Sequence, residues 1–501
     1  MNGRSIALWI VAFLVGAAAL AFGSVELWAE EWLRLLVLVA FVAVAWRERP
    51  KSVFKGRAAK LLLPAVLFVA WGFIQSVPLG KPLLSALSPK TARTKAEVVP
   101  PQGGAGLPAF LLGQAKARGV TIEDGATTPT APADPVSAAV STSLSIHPYA
   151  TRRACLVWLA PLLLVFIAER IARDAQMRYQ LLWAIAGWTG VLGAVAVAQQ
   201  VAGNGKLMWF REIPKDSSPL GPFVNPNHFA GYVEIGILAA VGLALACLAE
   251  GSDGRLTRKG IRQVLTDRVW GLPRVFGLSA LVVLGLAGLV LTKCRGGQLA
   301  LIAGSCVLLP LGRLRRLLPA GAVILVVLAF SLGVTSWLGS EKQTLQTGFF
   351  AENTGDLSLA MRSDMWGRTW RIVANHPLTG TGLGTFEWAY AANDREGEWQ
   401  GTIQAHNDYL QLAAETGAVG IVLLLWMMVA FAWLVLRPVV APARGQPRWT
   451  SLALVGAVFA ILLHAVIEFS LQIPAVSALF AVVLGTLVAA AGDAPHGAEA
   501  A

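Results

Sequence analysis

Apolar runs recur along this chain at lengths that fit the hydrocarbon thickness of a bilayer, separated by short basic stretches and two long polar ones. Read for runs that can cross ~30 Å of hydrocarbon, the pattern predicts about twelve spans. They cover residues 6–22, 33–45, 61–77, 154–168, 179–201, 229–248, 276–291, 299–311, 320–338, 421–436, 452–467 and 476–490. The expected fold is an all-α polytopic membrane protein, a single integral-membrane domain over residues 1–501. No signal-peptidase site follows the first span, which is therefore expected to stay as an anchor.

Composition sharpens this picture. The chain is 55% hydrophobic and 14% charged, with a mean hydropathy of +0.61. Those values exclude an ordinary water-soluble globule and a disordered chain. The net charge of +12 reads as a topology signal, because 21 of the 41 basic residues fall in alternate short loops at 47–60, 169–178, 249–274, 312–317 and 437–449. That places both termini in the cytoplasm. A nucleic-acid partner has no support, since the cations are dispersed among loops without interleaved aromatics. The four cysteines, Cys155, Cys247, Cys294 and Cys306, lie in or beside apolar spans without metal-ligand spacing, and read as small packing residues.

Two long segments then face the other side. Residues 81–153 are rich in Pro, Ala, Thr and Ser, and the pattern predicts a largely loose insertion in which only LPAFLLGQAKA suggests a helix. Residues 339–417 carry tryptophans and clear helix punctuation, and are the better candidate for a folded catalytic loop. Within them, SLAMRSDMWGRTWRIVANHP predicts a helix ended by Asn375, His376 and Pro377. On a helical wheel Arg362 shares a side with Val373, Trp366 and Trp370, whereas Arg368 and Arg371 fall opposite. Arg362 is thus the arginine turned inward, either to meet an anion or to sit as a cation among lipid headgroups. PLTGTGLGTF follows, and its glycines read as a tight turn. A nucleotide loop is set aside because neither a strand before it nor a helix start after it completes a βαβ unit.

His406 opens HNDYLQLAAETG, with Asn407 as a cap candidate and Asp408 in the first turn of a helix that Gly417 and Gly420 would break before the next span. A helix N-terminus disfavours the imidazolium, so His406 suits proton acceptance; a plain interface hydrogen bond is the alternative. Arg295 lies in a short turn where Gly296 and Gly297 would admit a ligand close to the backbone. Asn225, Asn227 and His228 open another span, offering neutral hydrogen bonds. Glu234 follows at membrane depth, as a functional acid or the partner of a nearby cation. His464 and Glu468, four apart, read as a proton relay or as a structural hydrogen bond.

Taken in order, NPNHFAGY, TKCRGG, the Arg362 helix with NHPLTGTGLGTF, and AHNDYLQLAAETGAVG resemble the O-antigen ligase and O-antigen polymerase family of bacterial inner-membrane proteins. FIQSVPLG, SIHPYATRR and HAVIEFSLQIPA also resemble one branch of it. The resemblance implies a GT-C-like, inverting glycosyltransferase that needs neither metal nor other cofactor. It would move a glycan from an undecaprenyl diphosphate carrier to an acceptor at the periplasmic face of the inner membrane. Carried over by position, Arg295 and Arg362 correspond to diphosphate-binding arginines and His406 to the residue assisting the acceptor hydroxyl. Asn225, Asn227, His228, Asn407 and Tyr409 are the accompanying candidates for substrate binding. Cys294 stands where the resemblance implies serine, and Pro226 where it implies arginine.

The ligase reading takes lipid A core as acceptor. A polysaccharide polymerase and a protein O-oligosaccharyltransferase share the chemistry and differ in acceptor. A transporter or flippase is the non-enzyme alternative. It is disfavoured because the chain shows no internal repeat and its informative polar residues gather at one face of the membrane.

Overall fold

The computed structural model describes residues 3–46, 56–98, 142–212, 220–252, 254–308, 359–393, 404–440 and 449–492. Among them the ordered elements are helices, joined by turns and isolated bridges. In chain order the main ones are α1 (Gly3–Leu20), α2 (Leu27–Ala45), α3 (Arg57–Gln75), α4 (Lys81–Leu87), α5 (Pro89–Val98), α6 (Pro148–Ala172), α7 (Ala175–Ala202) and α8 (Pro226–Ala249). Then come α9 (Arg258–Thr266), α10 (Gly271–Leu291), α11 (Arg295–Cys306), α12 (Leu359–Asn375), α13 (Phe386–Asn393), α14 (Asp408–Phe431), α15 (Trp449–His464) and α16 (Pro474–Gly492).

Eight helices among the described residues are long and apolar enough to cross a membrane, which fits a polytopic membrane protein. Their outward faces carry large apolar side chains, such as Phe276 at 74% and Val429 at 67% exposed, a surface suited to lipid. The expected span 33–45 forms the C-terminal part of α2, which starts at Leu27, carries Arg34 paired with Glu30 and Glu31, and is not among these eight. The expected spans 299–311 and 452–467 appear as the shorter helices α11 and α15, while 320–338 and the LPAFLLGQAKA stretch lie outside the described residues. Residues 81–98, expected to be loose, form α4 and α5; α4 is only seven residues long and α5 is charged, so neither shows an apolar period that announces a helix.

The chain divides into two compact units. The first comprises Met1–Leu63, Ala160–Ser358 and Met427–Ala501. Here α8 packs against α7, α10, α11 and α15, and is buried along nearly its whole length. Small residues let these helices approach closely, as membrane interiors require. At the crossing of α11 and α15, Gly304 and Gly456 face each other so tightly that a Cβ on either would lie 2.5 Å from the other's carbonyl oxygen. The second unit comprises Pro64–Leu159 and Leu359–Trp426, and holds α4, α5, α12, α13 and the first part of α14.

This packing predicts a contrast. Gly456→Ala forces the Gly304 backbone to move and should lower both the yield of monodisperse protein and its melting temperature in detergent. Gly277→Ala, where an added Cβ meets nothing within 4 Å, should be neutral or stabilising by at most about 1 kcal/mol.

Candidate active site

The helix over residues 359–375 forms as its amphipathic pattern predicts, and Arg362 is buried at 6% exposure while Arg371 is exposed. Arg368 pairs with Asp364 one turn back at 2.9 Å. Trp370 departs from the wheel: it is 63% exposed, at the edge of the apolar side. Trp366, one turn on from Arg362, donates its indole N–H to the carbonyl of Ala405 at 3.0 Å. The amide of Ala405 donates in turn to Gln411 Oε1 at 2.8 Å. Both backbone groups of Ala405 are thus held by side chains, one from α12 and one from α14.

His406 comes next, and it takes φ +47°, the left-handed region that non-glycine residues seldom enter. Such a conformation costs about 1–3 kcal/mol and persists where surroundings impose it, often at functional sites. Immediately after, Asn407 caps α14 as expected: its Oδ1 accepts from Leu410 N at 2.9 Å and its carbonyl from Gln411 N at 3.0 Å. Tyr409 lies half-buried in the first turn. The structure therefore brings Arg362, His406, Asn407 and Tyr409 into one unit, with Trp366 joining their two segments.

What holds this region is a residue the sequence pattern did not single out. Glu415, buried at 5% exposure, accepts from Gly384 N at 2.7 Å, Phe386 N at 3.2 Å and Gln411 Nε2 at 3.2 Å. α13 begins at Phe386, directly after the glycine turn. The turn and the first amide of α13 hold an anion in the manner of a phosphate loop, but the anion is the chain's own carboxylate. At Gly380, a Cβ would sit 2.3 Å from the Glu415 backbone, so only glycine lets the two segments meet.

The same place breaks α14. Gly417 has φ 63° and ψ −159°, a region open essentially to glycine alone. The break leaves carbonyls and amides unpaired at the foot of an apolar helix, where each must find another partner. Gln75 Nε2 donates to Glu415 O at 2.8 Å and Thr379 O at 2.7 Å, and Leu383 N donates to Gln75 Oε1 at 3.0 Å. Trp71 Nε1 donates to Thr416 O at 3.1 Å, and Ala418 N to Pro377 O at 2.8 Å. Gly420, expected to share in the break, lies within the continuing helix.

In the other unit, Arg295 is the exposed first residue of α11. Cys294 is its N-cap and accepts from Gly297 N at 3.4 Å, so this cysteine is more than packing. Gly296 and Gly297 allow close helix contact: added Cβ atoms would meet Ile467 at 2.4 Å and Ala230 at 2.8 Å. Asn225 caps α8 by accepting from Asn227 N at 2.8 Å. Asn227 donates to Glu468 at 2.8 Å, and His228 meets the Phe469 ring edge-on at 4.6 Å. Glu234 pairs with His464 at 3.3 Å, so Glu468 and His464 are engaged separately and do not form the suggested side-chain pair.

Among the described residues, the fold defines an all-helical, multi-span membrane protein. Residues 280–425 match the family model described as O-antigen ligase, which supports placing the chain in the O-antigen ligase and polymerase family. The match covers the second half of α10, all of α11, α12 and α13, and most of α14, with Arg295, Arg362 and His406. No curated protein matches the chain.

Beside this site, His376 at the end of α12 is buried at 5% exposure with Nδ1 3.1 Å from Thr91 Oγ1 and 3.4 Å from Ser88 Oγ. Burial, helped by the positive charge of Lys90, lowers its pKa from 6.5 to about 4. Its folded-state pKa lies below the unfolded value, so the stability it contributes is complete above about pH 6.5 and is lost as pH falls toward 4. The loss amounts to about 3 kcal/mol. Thermal melts of wild type and His376→Gln between pH 7 and 4 should show a steeper acid decline in the wild type. Parallel curves would mean that His376 does not titrate there.

Glu415→Ala leaves the buried backbone amides of Gly384 and Phe386 without their acceptor, and should cost about 3 kcal/mol or more. The check is a melting curve in detergent, read beside Glu387→Ala, which alters an acid of the same turn that does not bind the glycine loop.

Proposed function

We propose that the protein is a GT-C-like glycosyltransferase of the O-antigen ligase type. It transfers a glycan from an undecaprenyl diphosphate carrier to lipid A core at the periplasmic face of the inner membrane. The observation that carries this reading is the tether through Ala405. Trp366 and Gln411 hold the residue before His406, next to the helix that bears buried Arg362, inside a segment matched by the ligase family model.

The chemistry follows from the residue types. Cleaving the bond from anomeric carbon to diphosphate builds negative charge on the leaving oxygen. Guanidinium groups stabilise that charge more in the transition state than in the ground state. Arg295 and Arg362 supply it through forked contacts to phosphate oxygens. The acceptor hydroxyl loses its proton as it attacks, and His406 takes it. One such displacement inverts the anomeric centre. Asn225, Asn227, His228, Asn407 and Tyr409 complete the substrate contacts in this reading, and charge supplied by arginine removes the need for a metal.

The test is transfer from a defined undecaprenyl diphosphate glycan to lipid A core, to a second carrier-linked glycan or to a protein acceptor, in detergent with EDTA. Arg295→Lys and Arg362→Lys should lose most activity at equal protein level, because lysine cannot form the fork. His406→Ala should lose about 10²- to 10⁴-fold in rate with donor binding retained, and the acid limb of the pH profile should vanish. Preference for the glycan acceptor would identify a polymerase, preference for protein an oligosaccharyltransferase, and full activity of all three variants would remove the mechanism.

A further inference from the structure

In the unit that carries Arg295, three side chains unused by the transfer chemistry form a buried chain ending at the start of α11. Glu234 and His464 are fully buried and Cys294 is 4% exposed. His464 Nδ1 lies 3.4 Å from Glu234 Oε1 and its Nε2 lies 3.6 Å from Cys294 Sγ. The sulfur accepts from Gly297 N at 3.4 Å. Both ring nitrogens are engaged, so the imidazole has a single orientation between a carboxylate on α8 and the cap of α11.

The backbone around Arg295 is fixed by the same atoms. Lys293 adopts φ 56°, and Thr292 Oγ1 accepts from Cys294 N at 3.0 Å. Arg295 therefore sits between Cys294, held through its side chain, and Gly297, held through its amide. A Cβ at Gly297 would lie 3.2 Å from His464 Cε1, so the first turn of α11 rests on the imidazole itself. Packing alone does not call for such a set, because buried ionisable pairs give no more stability than apolar residues of the same volume.

We propose that Glu234, His464 and Cys294 are positioning residues for Arg295. They hold the first turn of α11 so that the guanidinium meets the diphosphate of the donor in one orientation. This inference rests on the reading of Arg295 given above. Serine at position 294 preserves the set, since a hydroxyl caps a helix at least as well as a thiol and can also bond the imidazole. Alanine there breaks both contacts.

The experiment measures kcat, KM for the undecaprenyl diphosphate glycan and melting temperature for wild type, Cys294→Ser, Cys294→Ala and His464→Phe, each also combined with Arg295→Ala. Cys294→Ala and His464→Phe should lower kcat/KM by about 10- to 100-fold, chiefly through KM, as expected of a misplaced binding group. Cys294→Ser should retain wild-type values. In the Arg295→Ala background neither Cys294→Ala nor His464→Phe should reduce kcat/KM further, because the group they position is gone. Losses that multiply with that of Arg295→Ala, or that Cys294→Ser fails to rescue, would overturn the proposal. If His464→Phe does not fold, the two Cys294 variants decide alone. Wild-type transfer by Arg295→Ala would instead overturn the reading of Arg295 itself, and that failure is recognised because it occurs with the Glu234, His464 and Cys294 set intact.

Discussion

The carboxylate of Glu415 is the constraint on which the candidate site depends. A charge removed from water must be met by donors, and here they come from a glycine turn, the first amide of α13 and the Gln411 amide. Meeting that demand draws the turn over residues 380–384 against α14, and the closeness in turn requires glycine at 380 and 417. Gln411 then passes the constraint on, since its other amide atom holds Ala405 N. The order left in His406 is thus inherited from an acid two turns further along the same helix.

Much of this architecture was legible in local pattern, and the remainder was hidden for one physical reason. The inward turn of Arg362, the Asn407 cap and the break at Gly417 follow from periodicity, cap chemistry and glycine, all of which act within a few residues. Glu415 and Gln75 looked like ordinary residues of apolar helices, because the groups that explain Gln75 lie some 300 positions away in sequence. Helices α4 and α5 escaped notice for the same reason: they are short and held by contacts distant in sequence, with Ser88 and Thr91 packed on His376. The glycine stretch was legible as a turn, whereas the carboxyl group it binds was not, because Glu415 lies 31 positions beyond Gly384.

The two units treat polar groups differently. In the first, long helices cross through glycine contacts, and the few buried ionisable residues are gathered into short chains such as Glu234 with His464 and Asn227 with Glu468. In the second, irregular backbone reaches an apolar helix, and side-chain amides and indoles supply the hydrogen bonds that a continuous helix would have made for itself. Regular packing sets the positions of Asn225, Asn227 and Arg295; compensated irregularity sets that of His406.

The double hold on Ala405 decides how the chain enters His406. Its amide and carbonyl are anchored by Gln411 and Trp366, both outside the stretch that joins α13 to α14. The backbone entering His406 is therefore positioned from two helices, and its place follows from the packing of α12 against the start of α14.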